Sequence, residues 1–325
     1  MRSAPLIVLV TASLFAAPPE PSRTEKGTVH FRPIGDQHDV PERYRLAEQR
    51  FTWELEPRSE LAAVGVHTFR LRFPSPVESP CPQNNLVHAD YYRPIGAGPF
   101  PGVIVLDITA GDQAVSRSIA THFASRNIAA LCVQMAYYGP RRPAGSDLRL
   151  LSHDYRQTIA NIRQTVLDVR CAAAWLAERP EIDPRKLGIH GTSLGSFIGC
   201  LTAEMEPRLS KVGVLLGGGD LVEAYYNEPR AAPFRRLWEG LGGNKEQLKE
   251  VIAPVDPITC AANLKDRKVL IIAGKRDDIV PPQAAQALWE ATGKQKIVWY
   301  DCTHIGAALY VVPALSELVK HFGGE

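Results

Sequence analysis

Short apolar runs alternate with stretches of helical spacing along most of the chain. "GVIVLD" (102–107), "IAALCVQ" from Ile128, "KLGIH", "VGVLLGG", "VLIIAG" from Val269 and "KIVWYD" are the apolar runs. Runs this short and this continuously apolar read as strands buried on both faces, the pattern of a parallel sheet. Between them lie residues 115–125, a long pattern from Tyr155 to Ala177 closed by Pro180, "SLGSFIGCLTAEM", and a final "GAALYVVPALSELVKHF". All four have helical periodicity. Strand and helix in alternation predict an α/β fold with a mostly parallel sheet covered by helices on both faces.

Two segments depart from this alternation. Residues 27–95 hold few helix signals, and "HTFRLRF" and "NLVHADYYRP" read as strands separated by the Pro-rich "PSPVESPCPQNN". Without intervening helices such strands form an antiparallel edge. Residues 221–255 are mostly helical but longer than a crossover needs, which predicts a small cap over the carboxyl ends of the strands. The chain then divides into 1–17, an N-terminal extension with edge strands at 18–84, and a main domain at 85–325 that contains the cap.

Composition changes this picture little. The 325 residues carry a formal charge of +2 and are 45% hydrophobic. That is globular material with no basic or acidic bias toward nucleic acid. The N-terminus adds more. Arg2 precedes an apolar run from Ala4 to Ala17, followed by "PPEPSRTEKG". This describes a signal peptide at 1–17 and a secreted or periplasmic protein, with an uncleaved anchor as the alternative. No later segment reads as transmembrane, so no stable membrane insertion is expected. Six cysteines follow, none in a Cys-x-x-Cys pair, which removes zinc and thioredoxin-like readings. Cys260 and Cys302 fall in loops and are candidates for a disulfide.

The chemistry gathers at strand ends. "GTSLGS" places Ser193 between Gly191 and Gly195, after an apolar run and before a helical one. Gly-x-Ser-x-Gly in that setting is the pattern of a sharp turn that lifts a serine hydroxyl clear of a sheet. It also points the N–H of Leu194, at a helix N-terminus, toward a developing oxyanion. In this arrangement the acid and then the base follow in chain order. "VLIIAGKRDDIVPP" offers Asp277 and Asp278 after a strand. The Gly-x-x-Asp-x-x-Val-Pro spacing favours Asp277, and Asp278 suits a helix cap better. "IVWYDCTHIG" offers His304 after the last strand. The rival His190 precedes the serine turn within a strand and reads as a core residue.

The whole arrangement resembles the α/β-hydrolase superfamily over roughly residues 85–322. It is most similar to the dienelactone-hydrolase, acetyl-esterase and prolyl-oligopeptidase-like branches. The likeness is carried by "DVRCAAAWLAERPEIDPRKLGIHGTSLGS" and by the order of the three candidates. It implies the α/β-hydrolase fold, with Ser193 as nucleophile, His304 as base and Asp277 as its orienter. It also implies a second oxyanion donor from the backbone N–H of Ile108 or Thr109. Two positions differ from many relatives: Asp107-Ile108 stands where His-Gly is common, and Ser196 where glycine is. Asp107 is then either a buried carboxylate holding its loop or a group that tunes the site. In "MAYYGPRRPAG", Tyr137 and Tyr138 are candidates to line the substrate pocket or to brace the loop. Arg141 or Arg142 is a candidate to meet a substrate anion.

The expected activity is hydrolysis of a small-molecule carboxylic ester with a small or medium acyl group, through an acyl-enzyme and without cofactor or metal. A prolyl-oligopeptidase-like peptidase and a non-catalytic binding protein on the same fold are the alternatives. Oligomeric state is left open.

Overall fold

The computed structural model describes residues 23–324; the signal-peptide expectation for 1–17 lies outside the described residues. The described residues open with four strands, β1 (Glu25–Phe31), β2 (Gln49–Leu61), β3 (Val66–Pro74) and β4 (Leu86–Pro94). Each pairs antiparallel with the next. β2 was not legible as a strand, because charged residues and Pro57 interrupt its alternation. The register shifts between Pro57 and Ser59, a bulge that tolerates the missing N–H.

Alternation of strand and helix then begins. β5 (Phe100–Leu106), α1 (Ala114–Ala124), β6 (Ala129–Val133), α2 (Tyr155–Ala177), β7 (Ile182–Thr192), α3 (Leu194–Met205) and β8 (Lys211–Leu215) follow in order. Residues 221–255 form three short helices, α4 (Leu221–Tyr225), α5 (Ala232–Gly240) and α6 (Lys245–Ile252). β9 (Lys268–Gly274), α7 (Pro282–Ala291), β10 (Lys296–Tyr300) and α8 (Val311–Gly323) close the chain. All ten strands form one sheet in the order β1-β2-β3-β4-β6-β5-β7-β8-β9-β10. β4 joins β6 antiparallel, and from β6 through β10 every pairing is parallel.

Two apolar cores fill the two faces of the sheet. One is built from α2, α3 and α7, including Trp175, Leu201 and Leu288. The other packs α1 and α8 through Phe123, Leu318 and Phe322. α2 starts where the Asp154 side chain accepts from the N–H of Arg156 at 2.9 Å, a helix N-cap.

The C-terminal segment differs from the single helix expected. Ile305–Tyr310 is a 3-10 turn, and α8 starts only at Val311. Pro313 is the third residue of α8, where its missing N–H removes no intrahelical bond. Taken together, Ile305–Gly323 is long and apolar enough to span a bilayer by length and composition. This corrects the sequence reading that no segment after the N-terminus reaches that threshold. In the fold, Ala314, Leu318 and Phe322 of this segment pack against the sheet.

Candidate active site

β7, β8, β9 and β10 run parallel, so their carboxyl ends meet at one edge of the sheet. Three loops leave that edge carrying Ser193, Asp277 and His304. Ser193 follows β7 directly, with φ 52° and ψ −120°. Its N–H donates to Leu215 O at 2.9 Å, which ties the turn to β8. The flanking glycines are required by close approach. A Cβ on Gly191 would lie 2.1 Å from Gly195 O, and one on Gly195 would lie 2.4 Å from Asp107 O. The Ser196 hydroxyl donates to Ser193 O at 2.6 Å and secures the first turn of α3.

Asp277 follows β9. Its Oδ1 accepts from the N–H groups of Ile279 (2.9 Å) and Val280 (2.8 Å), which fixes the carboxylate within its own turn. His304 follows β10. Its Nδ1 lies 2.8 Å from Asp277 Oδ2 and 3.0 Å from Oδ1. Its Nε2 lies 3.1 Å from Ser193 Oγ. The carboxylate can only accept, so Nδ1 carries the proton, and Nε2 is left as the acceptor facing the serine hydroxyl. All three side chains are buried. Held this way, the imidazole can take the serine proton, and the carboxylate can stabilise the resulting charge.

Asp278 plays a different part. It caps no helix, because the residue before α7 is Pro281 and no side chain caps there. It accepts instead from the His304 N–H at 3.4 Å and from Arg230 Nη2 at 2.9 Å, which links the cap to the histidine loop. His190 lies in the core of β7. Its Nδ1 donates to Gly213 O at 3.1 Å, and burial lowers its pKa from 6.5 to about 4.

The loop after β5 carries Ile108 and Thr109. Asp107 is fully buried there. Its two oxygens accept from Gln113 N (2.8 Å) and Ser116 N (3.1 Å), so it serves the free N–H groups at the start of α1. Ile108 O accepts from Gly111 N at 3.2 Å. In a trans peptide this turns the N–H of Thr109 the opposite way. The Tyr138 hydroxyl donates to Thr109 O at 2.8 Å and holds the next peptide. Tyr138 also packs over Gly111, where a Cβ would come within 1.9 Å of its ring.

Of the two readings open for Tyr137 and Tyr138, Tyr138 takes the loop-bracing one; both are buried, and neither borders the cavity beneath the cap. Two expectations are corrected here. Arg141 meets no substrate anion. It is fully buried and pairs with Asp168 at 2.7 Å, while also donating to Asn84 O and Gln134 O. The thiols of Cys260 and Cys302 are not bridged. Cys260 belongs to a pocket with Tyr44, Met205 and Pro254, whereas Cys302 packs against Gly274.

The sequence did not reveal the cavity beside the serine. It is about 360 Å³ and is lined by Leu194 and Phe197 of α3, by Val222 and Tyr225 of α4, and by Phe234 and Leu248 from the other cap helices. Nor did it reveal Asp256. This buried carboxylate accepts from Asp220 N (2.9 Å), Leu221 N (2.6 Å) and Ile258 N (3.1 Å), which pins the start of the cap to its end. Burial raises its pKa above the ordinary carboxylate value. The one available signal was "VDP", an aspartate before a proline at a helix start.

Residues 151–302 match the model of the prolyl oligopeptidase family. An uncharacterized protein of Mycobacterium tuberculosis (strain ATCC 25618 / H37Rv) is 26% identical over 208 residues, which is 63% of this chain and 63% of that protein. The chain therefore spans less than two thirds of that curated relative's length. Among solved structures, an acetyl xylan esterase from Paenibacillus sp. R4 superposes with a TM-score of 0.66 at 17% identity, over 82% of this chain and 88% of that one. Acetyl xylan esterase 1 from Thermoanaerobacterium sp. JW/SL YS485 gives 0.62 at 19% identity, over 82% and 87%. With its parallel strands, flanking helices and serine turn after β7, the chain has the α/β-hydrolase fold.

Proposed function

We propose that the protein is a serine hydrolase of small-molecule carboxylic esters. The observation that carries this reading is the hydrogen-bonded chain from Asp277 through His304 to Ser193 Oγ, with a final step of 3.1 Å. Ser193 Oγ attacks the ester carbonyl while His304 Nε2 takes its proton. The N–H of Leu194, with that of Ile108 or Thr109, receives the negative charge on the carbonyl oxygen. His304 then returns the proton to the leaving alcohol, and the acyl group stays on Ser193. A water molecule, deprotonated by His304, attacks this acyl-enzyme and releases the acid. The esterase names of the structural neighbours support the ester reading.

The family match over 151–302 supports a second reading, peptide hydrolysis. It asks His304 to protonate an amine, a poorer leaving group than an alcohol. Ser193→Ala tests the main reading. Removal of a triad nucleophile costs about 10⁶ in kcat, so p-nitrophenyl ester turnover and fluorophosphonate labelling should both vanish. A variant that keeps near-normal turnover would end the proposal. Faster cleavage of a fluorogenic Gly-Pro amide than of any ester would favour the peptidase.

A further inference from the structure

The cavity beneath the cap is lined by no member of the candidate triad itself, but two of its wall residues adjoin it. Leu194, the neighbour of Ser193, forms part of its wall. Tyr225, also in the wall, lies close enough to Asp277 that burial and this carboxylate both raise the pKa of its hydroxyl. Besides the Tyr225 hydroxyl, the polar side chains of the wall are engaged elsewhere. Thr158 Oγ1 donates to Ser152 O at 3.1 Å, the Tyr226 hydroxyl to Glu239 at 2.8 Å, and Arg235 Nη1 to Tyr226 O at 2.7 Å. What faces inward is Leu194, Phe197, Ile198, Val222, Leu248 and Ile252. Apart from the Tyr225 hydroxyl, such a surface offers little to a sugar or a peptide and favours an aliphatic group.

The two sides of the serine differ. The leaving alcohol must stand where His304 Nε2 can protonate it. No residue of the 301–312 segment borders the cavity. On that side the chain faces solvent, with Ile305 74% and Leu309 87% exposed. That leaves the half-open cavity to the other substituent of the carbonyl carbon.

We propose that this cavity takes the acyl group of the substrate, and that this group is an aliphatic chain of medium length. The inference rests on the serine-esterase reading above and makes it specific. A methylene occupies roughly the volume a water molecule claims in the liquid, about 30 Å³. A cavity of about 360 Å³ therefore holds a chain of roughly eight to ten carbons, with space left for imperfect packing. Beyond that length the chain emerges between Leu151 and Phe234, both partly exposed on the cavity wall, and gains nothing. Each methylene buried in the transition state raises kcat/KM by up to about fourfold.

The test compares p-nitrophenyl acetate with p-nitrophenyl octanoate, in the wild type and in Ala231→Trp. Ala231 is a partly buried residue of the cavity wall, and an indole there fills the space. Circular dichroism melting checks the fold of the variant. Calorimetric titration with octanoate reads the cavity without catalysis. The octanoyl ester should exceed the acetyl ester by tenfold or more in kcat/KM. The ratio should drop at least tenfold in Ala231→Trp, and octanoate binding should weaken with it. Ester turnover that is no better with octanoyl than with acetyl, or a ratio unchanged in the variant, overturns the cavity proposal and leaves the esterase reading standing. Octanoate binding that Ala231→Trp abolishes, in a protein that neither hydrolyses esters nor labels with fluorophosphonate, keeps the cavity and removes the catalysis. Absence of both binding and turnover removes both.

Discussion

Ser193 occupies a backbone conformation that side-chain-bearing residues seldom adopt, and its neighbours hold it there. Gly191 and Gly195 leave no room for a Cβ, and the N–H of Ser193 is tied to Leu215 O. The serine and its two partners were legible in the sequence because their spacing follows from strand ends. The Gly-x-x-Asp-x-x-Val-Pro spacing already favoured Asp277 over its neighbour. Asp277 is buried against His304 Nδ1, while Asp278 is exposed and pairs with Arg230. Asp277→Asn puts an amide N–H or C=O before the imidazole and can select the wrong tautomer, a loss of about 10⁴ in kcat in a known triad. Asp278→Asn removes a surface pair of the kind that contributes little. We expect it to cost no more than a few-fold. Steady-state kinetics on one p-nitrophenyl ester decides, and an inactive Asp278→Asn beside an active Asp277→Asn would reverse the assignment. For Asp107 and Tyr138 the sequence offered the buried loop carboxylate and the loop brace among its readings but could not name their partners. Their partners, Ser116 and Thr109, lie 9 and 29 residues away, and no local pattern encodes such a meeting.

The parallel strands and their helices could be read because burial on both faces leaves uninterrupted apolar runs. β1 and β2 could not, since half-exposed strands carry charges such as Glu54 and Arg50 that blur the alternation. The sequence is equally silent on what α2 buries besides apolar side chains. Asp168, near its middle, is fully buried and accepts from Arg141 Nη2 (2.7 Å) and from the Ser75 hydroxyl (2.6 Å). One helix is thereby joined to the loop after β3 and to the loop after β6. Arg141 was a candidate to meet a substrate anion because charge in a loop is usually solvated and free to bind. Arg141→Met should leave the Asp168 carboxylate buried without its countercharge. Breaking a buried pair from one side costs about 3–5 kcal/mol. Urea denaturation at pH 7 should show the loss as a lower midpoint. The double variant Arg141→Met/Asp168→Leu should recover part of it, because no charge then remains to desolvate. A midpoint unchanged in Arg141→Met would mean that the pair contributes nothing to stability.

The ten-stranded sheet makes the N-terminal strands and the hydrolase core one body. The segment between β1 and β2 locks onto both. The Tyr44 hydroxyl donates to Pro254 O at 2.6 Å, and Arg170 of α2 binds Glu206 Oε2 at 3.2 Å and Gln37 Oε1 at 3.0 Å. Unfolding therefore exposes several buried and half-buried groups together, and three of them are histidines with lowered pKa. His88, His190 and His321 all have their pKa lowered from 6.5 to about 4, each mainly by burial. An unfolded histidine takes up its proton near pH 6.5, whereas these do so only near pH 4 in the folded protein. Between those values these histidines bind more protons in the unfolded chain, so their contribution to stability falls as pH falls from about 6.5 to about 4, while the raised carboxyls of Asp168, Glu204 and Asp256 act in the opposite sense. His190 is the clearest contributor. It is fully buried between the rings of Phe123 and Phe322, with Nδ1–H already given to Gly213 O. On its own it should remove about 2 kcal/mol of stability between pH 7 and pH 5. His190→Gln keeps a polar group in the strand but cannot titrate. It will be less stable than the wild type at pH 7, because packing against the two rings is lost. Its further loss on acidification to pH 5 should nevertheless be smaller by about 2 kcal/mol. Urea midpoints of both proteins at the two pH values measure this difference directly. Equal acid sensitivity in the two would show that His190 does not set the acid limit of this fold.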